Sequence, residues 1–543
     1  MLSPAQQFVS THNTPPLRSV HTDSTSRGRI YVWIANFLLV VGTIGLSKCF
    51  LATGIVTQIL PQFHLTVNKS ARRPKILRSG ESLIGAVRQF SSSLRLDKQR
   101  LVILGSGWGG YELMRQVDKR KYDVTVVSPN TYFAFTPLLS AASVGTLDYN
   151  SALEPVRRYP EVRYLQAWAD KIDFERKRIT CMPATGSSAR KKLINPNIAK
   201  VDDSLKPAAS FPGWKPFDLT YDKLVIAVGC YSATFGTPGV VEYGYFLKDV
   251  RDAAKIRNRI LECFELASQP TVTDEERAAL LHFAIVGGGP TGVEFAGELH
   301  DTLVTDFERA YPDLAPHCRI TLYDVAPNIL GSFDKSLAEY ATEKFDRAGI
   351  NIKGSRHVTK VGEGYLEIKE EGRVPFGLLV WNTGLAANPL IESVSDLQKD
   401  EKTHSLRIND HFRTFSKDGN EMKDVFCIGD ASALEDKLPA TAQVAAQEAQ
   451  WLAKILNAEA RGRADPGSFH FHNQGAMAYI GDWSAIIDRT KVEEGPKGEV
   501  TGRAAWLLWR SAYLYKSLSW RNRISLLYHW FATWLGGRRL SRY

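Results

Sequence analysis

Leu101-Val102-Ile103-Leu104-Gly105-Ser106-Gly107-Trp108-Gly109-Gly110 decides the fold. An aliphatic run of strand type ends in a glycine turn, and Tyr111-Glu112-Leu113-Met114 reads as the helix that follows. In such a turn Gly105 takes the tight backbone, Gly107 lets the main chain approach a pyrophosphate, and Gly110 lets the helix pack on the strand. The phosphates sit on free N–H groups at the helix start, where the dipole favours negative charge. A single motif of this kind can be a chance glycine turn. It recurs, however. Phe283-Ala284-Ile285-Val286 leads into Gly287-Gly288-Gly289-Pro290-Thr291-Gly292, with Gly287, Gly289 and Gly292 in the same three positions. Two dinucleotide fingerprints predict two cofactors brought face to face, and hence redox chemistry.

Outward from the first turn, Asp123-Val124-Thr125-Val126-Val127 reads as the second strand. Where an acid ordinarily holds the ribose hydroxyls, the sequence has Ser128. Tyr132-Phe133-Ala134-Phe135-Thr136-Pro137-Leu138-Leu139 follows, either a loop covering a ring system or plain core. Residues 182–220 form a Lys-, Pro- and Ser-bearing excursion, after which a buried strand ends at Gly229. In the second unit, Arg319-Ile320-Thr321-Leu322-Tyr323 carries Asp324 at its tip. A carboxylate there accepts both ribose hydroxyls of NADH and repels the extra phosphate of NADPH, or merely closes a turn. Glu294 lies in the first turn of the second helix, complementing its dipole or standing where nicotinamide meets flavin. Two further strands end in glycine, at Gly384 and at Gly429-Asp430, with Asp430 placed for a ribityl hydroxyl.

At 543 residues, 44% of them hydrophobic, the chain exceeds one compact domain and buries real cores. Its net charge of +10 suits an anionic membrane surface; no nucleic-acid motif accompanies it, and no nucleic-acid partner is expected. The six cysteines are scattered without a C-x-x-C pair, which argues against zinc, iron–sulfur or a redox-active disulfide. No metal ligand set is expected, and no D-x-D-x-D-G calcium loop is present.

Residues 1–29 are rich in Ser, Thr and Pro, with Arg18, Arg27 and Arg29 against one acid, Asp23, a bias of mitochondrial targeting segments. Residues 30–63 hold an apolar, almost uncharged stretch long enough for a slightly short membrane helix. It is either an anchor or a stretch of presequence removed on import. Arg72, Arg73, Lys75 and Arg78 make the downstream flank as basic as the upstream one, against simply placing the body outside. At the other end, Trp506, Leu507, Trp509, Tyr513, Leu514 and Leu518 precede a helical stripe of Ile524, Leu527, Tyr528, Phe531, Trp534 and Leu535. Arg510, Lys516, Arg521, Arg523, Arg538 and Arg539 supply cations for lipid headgroups, as in a helix lying in the membrane interface. A packed-core or dimer helix is the alternative.

The predicted fold is α/β: two Rossmann-like dinucleotide-binding domains of glutathione-reductase type, the second inserted in the first, plus a C-terminal amphipathic membrane-binding helical region. The expected boundaries are a targeting segment over 1–29, an anchor over 30–63 and a linker over 64–98. The first dinucleotide-binding domain then spans 99–240 and resumes over 378–465, with the second between them at 241–377. Residues 466–543 form the C-terminal region.

Gly105-Ser106-Gly107-Trp108-Gly109, Ser128-Pro129-Asn130-Thr131 with the aromatic stretch after it, and Tyr245-Phe246-Leu247-Lys248 resemble the type II NADH:quinone oxidoreductases, also called alternative NADH dehydrogenases. So do residues 286–299, Trp381-Asn382-Thr383-Gly384, Ile428-Gly429-Asp430 and Thr441-Ala442-Gln443-Val444-Ala445-Ala446-Gln447-Glu448. The likeness is ordered from Gln99 to the C-terminus, and Ser128 in place of an acid is usual in this family. The resemblance implies non-covalent FAD at the first unit, held by Gly105, Gly107, Gly110, Ser128, Thr136, Pro137, Gly229, Gly429 and Asp430. It implies NADH at the second, held by Gly287, Gly289, Gly292, Asp324 and Gly384. It further implies a catalytic set of Glu294, Gln443 and Gln447, with Gln443, Gln447 and Tyr513 at the quinone. Hydride would pass to flavin and two electrons to ubiquinone without proton pumping. The expected partners are ubiquinone, the lipid bilayer surface and a second copy of the chain in a homodimer. A transmembrane segment after the presequence resembles the external forms, on the intermembrane-space face of the mitochondrial inner membrane. Two rivals stay open: a sulfide:quinone type of flavin reductase, needing cysteines at the flavin, and a sensor or cell-death protein that binds both cofactors.

Overall fold

The computed structural model describes residues 98–184 and 215–541. Lys98 apart, the targeting segment, anchor and linker expected over 1–98 lie outside the described residues. From Gln99 onward the chain alternates strand and helix. Strand β1 (Gln99–Leu104) enters the glycine turn, helix α1 (Trp108–Gln116) leaves it, and β2 (Tyr122–Ser128) returns alongside β1 in parallel register, Leu101 opposite Val124. The further strands of this sheet, before the second unit, are β3 (Arg163–Asp173), β4 (Arg178–Pro183), β5 (Phe217–Thr220) and β6 (Lys223–Ile226). The last four residues of β1 and all four of β6 are buried, because parallel strands carry layers on both faces.

After β6 the chain leaves this sheet through Cys230–Ser232 and builds a second unit. Helix α2 (Val250–Ala267) begins on an Asp249/Asp252 capping box. Strand β7 (His282–Val286) runs into the second glycine turn and helix α3 (Pro290–Thr302), which widens into a π turn over Leu303–Phe307. Strand β8 (Arg319–Tyr323), helix α4 (Lys335–Arg347), β9 (Asn351–Lys353) and β10 (Leu378–Trp381) complete a four-stranded parallel sheet in the order β9-β8-β7-β10. A three-stranded antiparallel meander, Val358–Gly362, Tyr365–Ile368 and Gly372–Pro375, covers one side.

The boundary expected at 378 is corrected. Leu378–Trp381 is wholly buried and pairs with β7, Phe283 opposite Leu378, so it extends the second sheet rather than resuming the first. The chain crosses back at Leu385–Ala387, which lies antiparallel to Cys230–Ser232. Exit and return thus form one two-stranded ribbon. Beyond it, β11 (Arg413–Phe415) and β12 (Glu421–Cys427) rejoin the first sheet, whose order is β11-β12-β6-β1-β2-β3-β4-β5. Helix α5 (Ala442–Glu459) then packs on α1, Asn457 donating to the Gln116 carbonyl at 3.1 Å.

The C-terminal region is an antiparallel sheet, β13 (Ala476–Tyr479), β14 (Ala485–Asp488) and β15 (Glu499–Thr501), followed by helices α6 (Gly502–Lys516) and α7 (Trp520–Gly536). It lies close on α3: a Cβ at Gly297 would stand 2.7 Å from the Gly481 nitrogen. Helix α7 turns Leu526 and Trp530 inward and leaves Ile524, Tyr528, Phe531 and Leu535 exposed, a row at spacings of four, three and four. The sequence-derived stripe therefore faces outward. Two of the six cations assigned to lipid do not. Arg510 is enclosed by Trp483, Trp506 and Trp530, and Arg538 is buried against Asp306 and Glu298, because α6 and the tail turn these positions toward α3. Among the described residues, no helix is long and apolar enough to cross a membrane.

Candidate active site

The two glycine turns are near copies. Gly105 has φ +107° and Gly287 +114°, a left-handed region that only glycine occupies without strain. A Cβ on Gly110 would stand 2.2 Å from the Gly105 carbonyl oxygen, and one on Gly292 would stand 2.0 Å from that of Gly287. At Gly107 and Gly289 an added Cβ meets nothing within 4 Å, so both helix starts open onto free space.

The strand ends of the first sheet border a cavity of about 690 Å³, a size suited to a bound small molecule. Gly105, Gly107 and Ser128 line it at one end. Gly229, Gly429 and Asp430 line it from β6 and β12. Ser128 is buried, and its hydroxyl shares a hydrogen bond of 2.9 Å with Ser106, so it closes the turn instead of offering a charge. Lys248, Arg251 and Lys255 also line the cavity and supply positive charge. The Lys248 ammonium lies 3.1 Å from the Cys230 sulfur, which in turn donates to Asp430 at 3.0 Å.

The aromatic stretch divides by position. Phe133 and Phe135 are core, 2% and 5% exposed, while Ala134, Thr136 and Pro137 face the cavity. Trp108 Nε1 donates to Thr136 Oγ1 at 3.0 Å, tying this loop to the glycine turn. Phe135 makes an edge contact with Tyr513 of α6 at 6.0 Å between centroids. An aromatic series runs on from Tyr513 through Trp509 to Tyr479.

Thr291, Glu294 and Tyr513 line the same cavity from α3 and α6. Glu294 Oε1 accepts from the Tyr479 amide at 3.2 Å and from Trp509 Nε1 at 3.3 Å. Burial pushes this carboxyl up to about 8. One helical turn on, Glu298 is also buried; it accepts from Thr146 Oγ1 at 2.7 Å, and burial again raises its acid. Arg510 stands near this carboxylate, and burial brings its guanidinium down to about 10. Beneath the Gly429 turn, Glu448 accepts the Gly429 amide at 2.6 Å and is likewise pushed up by burial to about 8.

Gln443 and Gln447 lie elsewhere than at the cavity wall. The Gln443 amide accepts from the Gln474 N–H at 2.6 Å and donates to the Gly475 carbonyl at 3.3 Å. Gln447 does the same with both main-chain groups of His472, at 3.0 and 2.9 Å. Both carboxamides clamp residues 472–475 onto α5. In the second unit, Asp324 accepts the Gly288 and Ala326 amides, so its carboxylate braces the second glycine turn. Asn382, at the end of β10, keeps a buried Nδ2 donor with no partner beside that turn. Gly384 receives a hydrogen bond from the Ala233 amide at 3.4 Å and borders the ribbon rather than the cavity.

Sequence reasoning misses Glu298, Glu448, Tyr479 and Trp509. The first has a signal: Glu294 and Glu298, four apart in an otherwise apolar stretch, share one helix face.

Two dinucleotide turns, each on parallel strands of its own sheet, with one unit inserted in the other, define the pyridine nucleotide-disulphide oxidoreductase class, and that family matches residues 99–449. The NDH2 C-terminal domain matches residues 473–539. The internal alternative NAD(P)H-ubiquinone oxidoreductase A1 of potato mitochondria (Solanum tuberosum) is 36% identical over 82% of this chain and 88% of its own. The external NADH-ubiquinone oxidoreductase 2 of Saccharomyces cerevisiae mitochondria is 34% identical over 82% and 83%. Among solved structures, NDH2 from Plasmodium falciparum in complex with NADH superposes with a TM-score of 0.72 at 26% identity, over 82% of this chain and all of that one. The chain belongs to the type II NADH dehydrogenases.

Proposed function

We propose that this protein oxidises NADH and reduces ubiquinone by two electrons through non-covalently bound FAD, without pumping protons. The observation that carries this reading is the shared cavity: the first glycine turn, Thr291 and Glu294 beside the second, and Tyr513 of the C-terminal helix all line it.

The residues present fit the flavin nucleotide. The α1 start offers unpaired N–H groups and open space at Gly107, and a Cβ at Gly229 would also meet nothing within 4 Å. Lys248, Arg251 and Lys255 suit a diphosphate, Asp430 a ribityl hydroxyl, and Thr136 and Pro137 the ring. Bound there, FAD supplies the two-electron carrier between nicotinamide and quinone. Gly287, Gly289, Gly292 and Asp324 hold NADH, with Asp324 setting the preference over NADPH; Gly384, bordering the ribbon, stands away from the ring.

Reducing quinone with NADH consumes one proton from solution for each quinol formed. Glu294 is the group suited to hold it on a carboxylate oxygen, since its acid lies near neutrality and the Tyr479 and Trp509 N–H groups fix its position. Tyr513 stays neutral, because burial raises its hydroxyl well above the ordinary range, and borders the quinone. Gln443 and Gln447 act by holding residues 472–475 in place beside that path. The outward row of α7, with Tyr515 and Trp520 also exposed, rests on the lipid surface from which a long-chain quinone enters. The protein works as a homodimer at the mitochondrial inner membrane. Its assignment to the intermembrane-space face rests on residues 1–63 alone, since the potato relative is named internal and the yeast relative external.

The sulfide-oxidising alternative needs two cysteines at the flavin. Among the described residues only Cys230 lines the cavity, with its thiol pushed up to about 12 by burial, while Cys427 is buried in β12. The test is an anaerobic absorbance spectrum of purified protein. A bound yellow chromophore bleached by NADH and restored by quinone is expected. Protein that binds no flavin, or whose flavin NADH does not bleach, refutes the proposal.

A further inference from the structure

Outside the cavity, on the exposed side of the C-terminal region, three side chains with metal-ligating atoms converge. His470 and His472 are two apart in the segment before β13, and their ring centroids lie 5.0 Å apart. Glu493 reaches them from the loop after β14. One carboxylate oxygen, Oε2, lies 3.1 Å from His470 Nε2 and 3.2 Å from His472 Nδ1. Adjacent corners of a tetrahedron around zinc are about 3.3 Å apart when the bonds are about 2.0 Å. The two separations match tetrahedral edges as well as hydrogen bonds, and all three ligand atoms lie within 4.8 Å of one another.

The backbone beneath these side chains is held fast. His472 exchanges both main-chain hydrogen bonds with Gln447, and Asn473 Nδ2 donates to the Lys491 carbonyl at 3.3 Å. Arg489 donates to the carbonyls of Pro496 and Glu494 at 3.0 and 3.2 Å, which fixes the loop bearing Glu493. The side chains themselves are 69%, 57% and 44% exposed, leaving a face open for a water as fourth ligand.

We propose that His470, His472 and Glu493 form a binding site for a divalent cation of the zinc type. Two imidazoles and one carboxylate select borderline-soft ions over calcium or magnesium, which prefer oxygen. The bound ion would cross-link the 470–472 segment to the 489–497 loop. The site does not depend on the redox reading of the cavity.

The test is a competition titration of the full-length, flavin-loaded protein with ZnCl₂ against a chromophoric chelator at pH 7.5. One zinc is expected to be taken up that H470A/H472A does not bind, with affinity lowered about 100-fold or more, and E493Q should weaken it less. A tenfold excess of Mg²⁺ should leave uptake unchanged. These exposed substitutions should not shift thermal unfolding in the absence of zinc. The proposal is overturned if wild type binds no zinc, if the double variant binds as much as wild type, or if Mg²⁺ displaces the ion.

Discussion

In the proposed reaction Glu294 carries the proton-holding role. Its carboxyl is buried, raised to about 8, and held by two N–H groups from strands and helices far along the chain. Glu294→Gln keeps the shape and the acceptor oxygen but removes the proton. Stopped-flow kinetics should show flavin reduction by NADH within about twofold of wild type. Reoxidation by quinone should slow by about 10²-fold, the scale of a lost general acid. Equal reoxidation rates would remove Glu294 from the proton path. The same substitution carries a stability signature. Between about 4.5 and 8 the folded protein keeps a proton on Glu294 that the unfolded chain has released, so native stability falls as pH rises through that window. Thermal unfolding from pH 5.5 to 8 should show this decline in wild type and a shallower one in the variant. At pH 8 the variant should melt a few degrees higher, on a scale of about 2–4 °C per kcal/mol.

The glycine turns and the terminal helices are tested as elements. A methyl group at Gly110 or at Gly292 meets a carbonyl oxygen of its own turn, so each substitution distorts one nucleotide site and spares the other. Gly110→Ala should purify with little or no flavin. Gly292→Ala should stay yellow while its KM for NADH rises about tenfold or more, and loss of flavin in both would merge the two sites. On α7, Ile524→Glu combined with Tyr528→Glu places charge in the exposed row. Binding to cardiolipin-containing vesicles and turnover with a long-chain quinone should both drop about tenfold, while turnover with a water-soluble short-chain quinone is retained. These elements are legible in the sequence because their signals are local: a glycine's three neighbours, or residues three and four apart. Leu378–Trp381 is placed in the wrong domain by sequence alone, because a short, wholly apolar strand carries no mark of which of two parallel sheets it joins. Arg510 and Arg538 read as lipid-facing for a related reason: periodicity fixes a helix face and says nothing of what lies against it.

At the scale of the whole molecule, distant segments converge on α3. Glu294 meets Tyr479 and Trp509 from 185 and 215 residues away, and Arg538 joins Asp306, Thr146 and Glu298. No window of sequence contains such contacts, which is why half of the Glu294 site is invisible until the chain is folded. Arg538→Ala leaves the buried Asp306 carboxylate without its cation, removes one of the two cations near Glu298, and should destabilise the C-terminal region by about 3–5 kcal/mol. Chemical denaturation should show this as an earlier transition, with Arg538→Lys recovering some of it. The π turn at Leu303–Phe307 lies at the base of this convergence. One extra residue in a turn rotates everything after it by about 100° around the axis, and such insertions recur where helices serve a purpose beyond their own stability. Here the rotation aims Asp306 at Arg538. Wound as an uninterrupted α-helix with no residue lost, the same segment would be locally more regular than the native one, yet it would carry that carboxylate round the axis and off its mark. The irregularity works as a phase key, cut so that the last turn of the polypeptide fits.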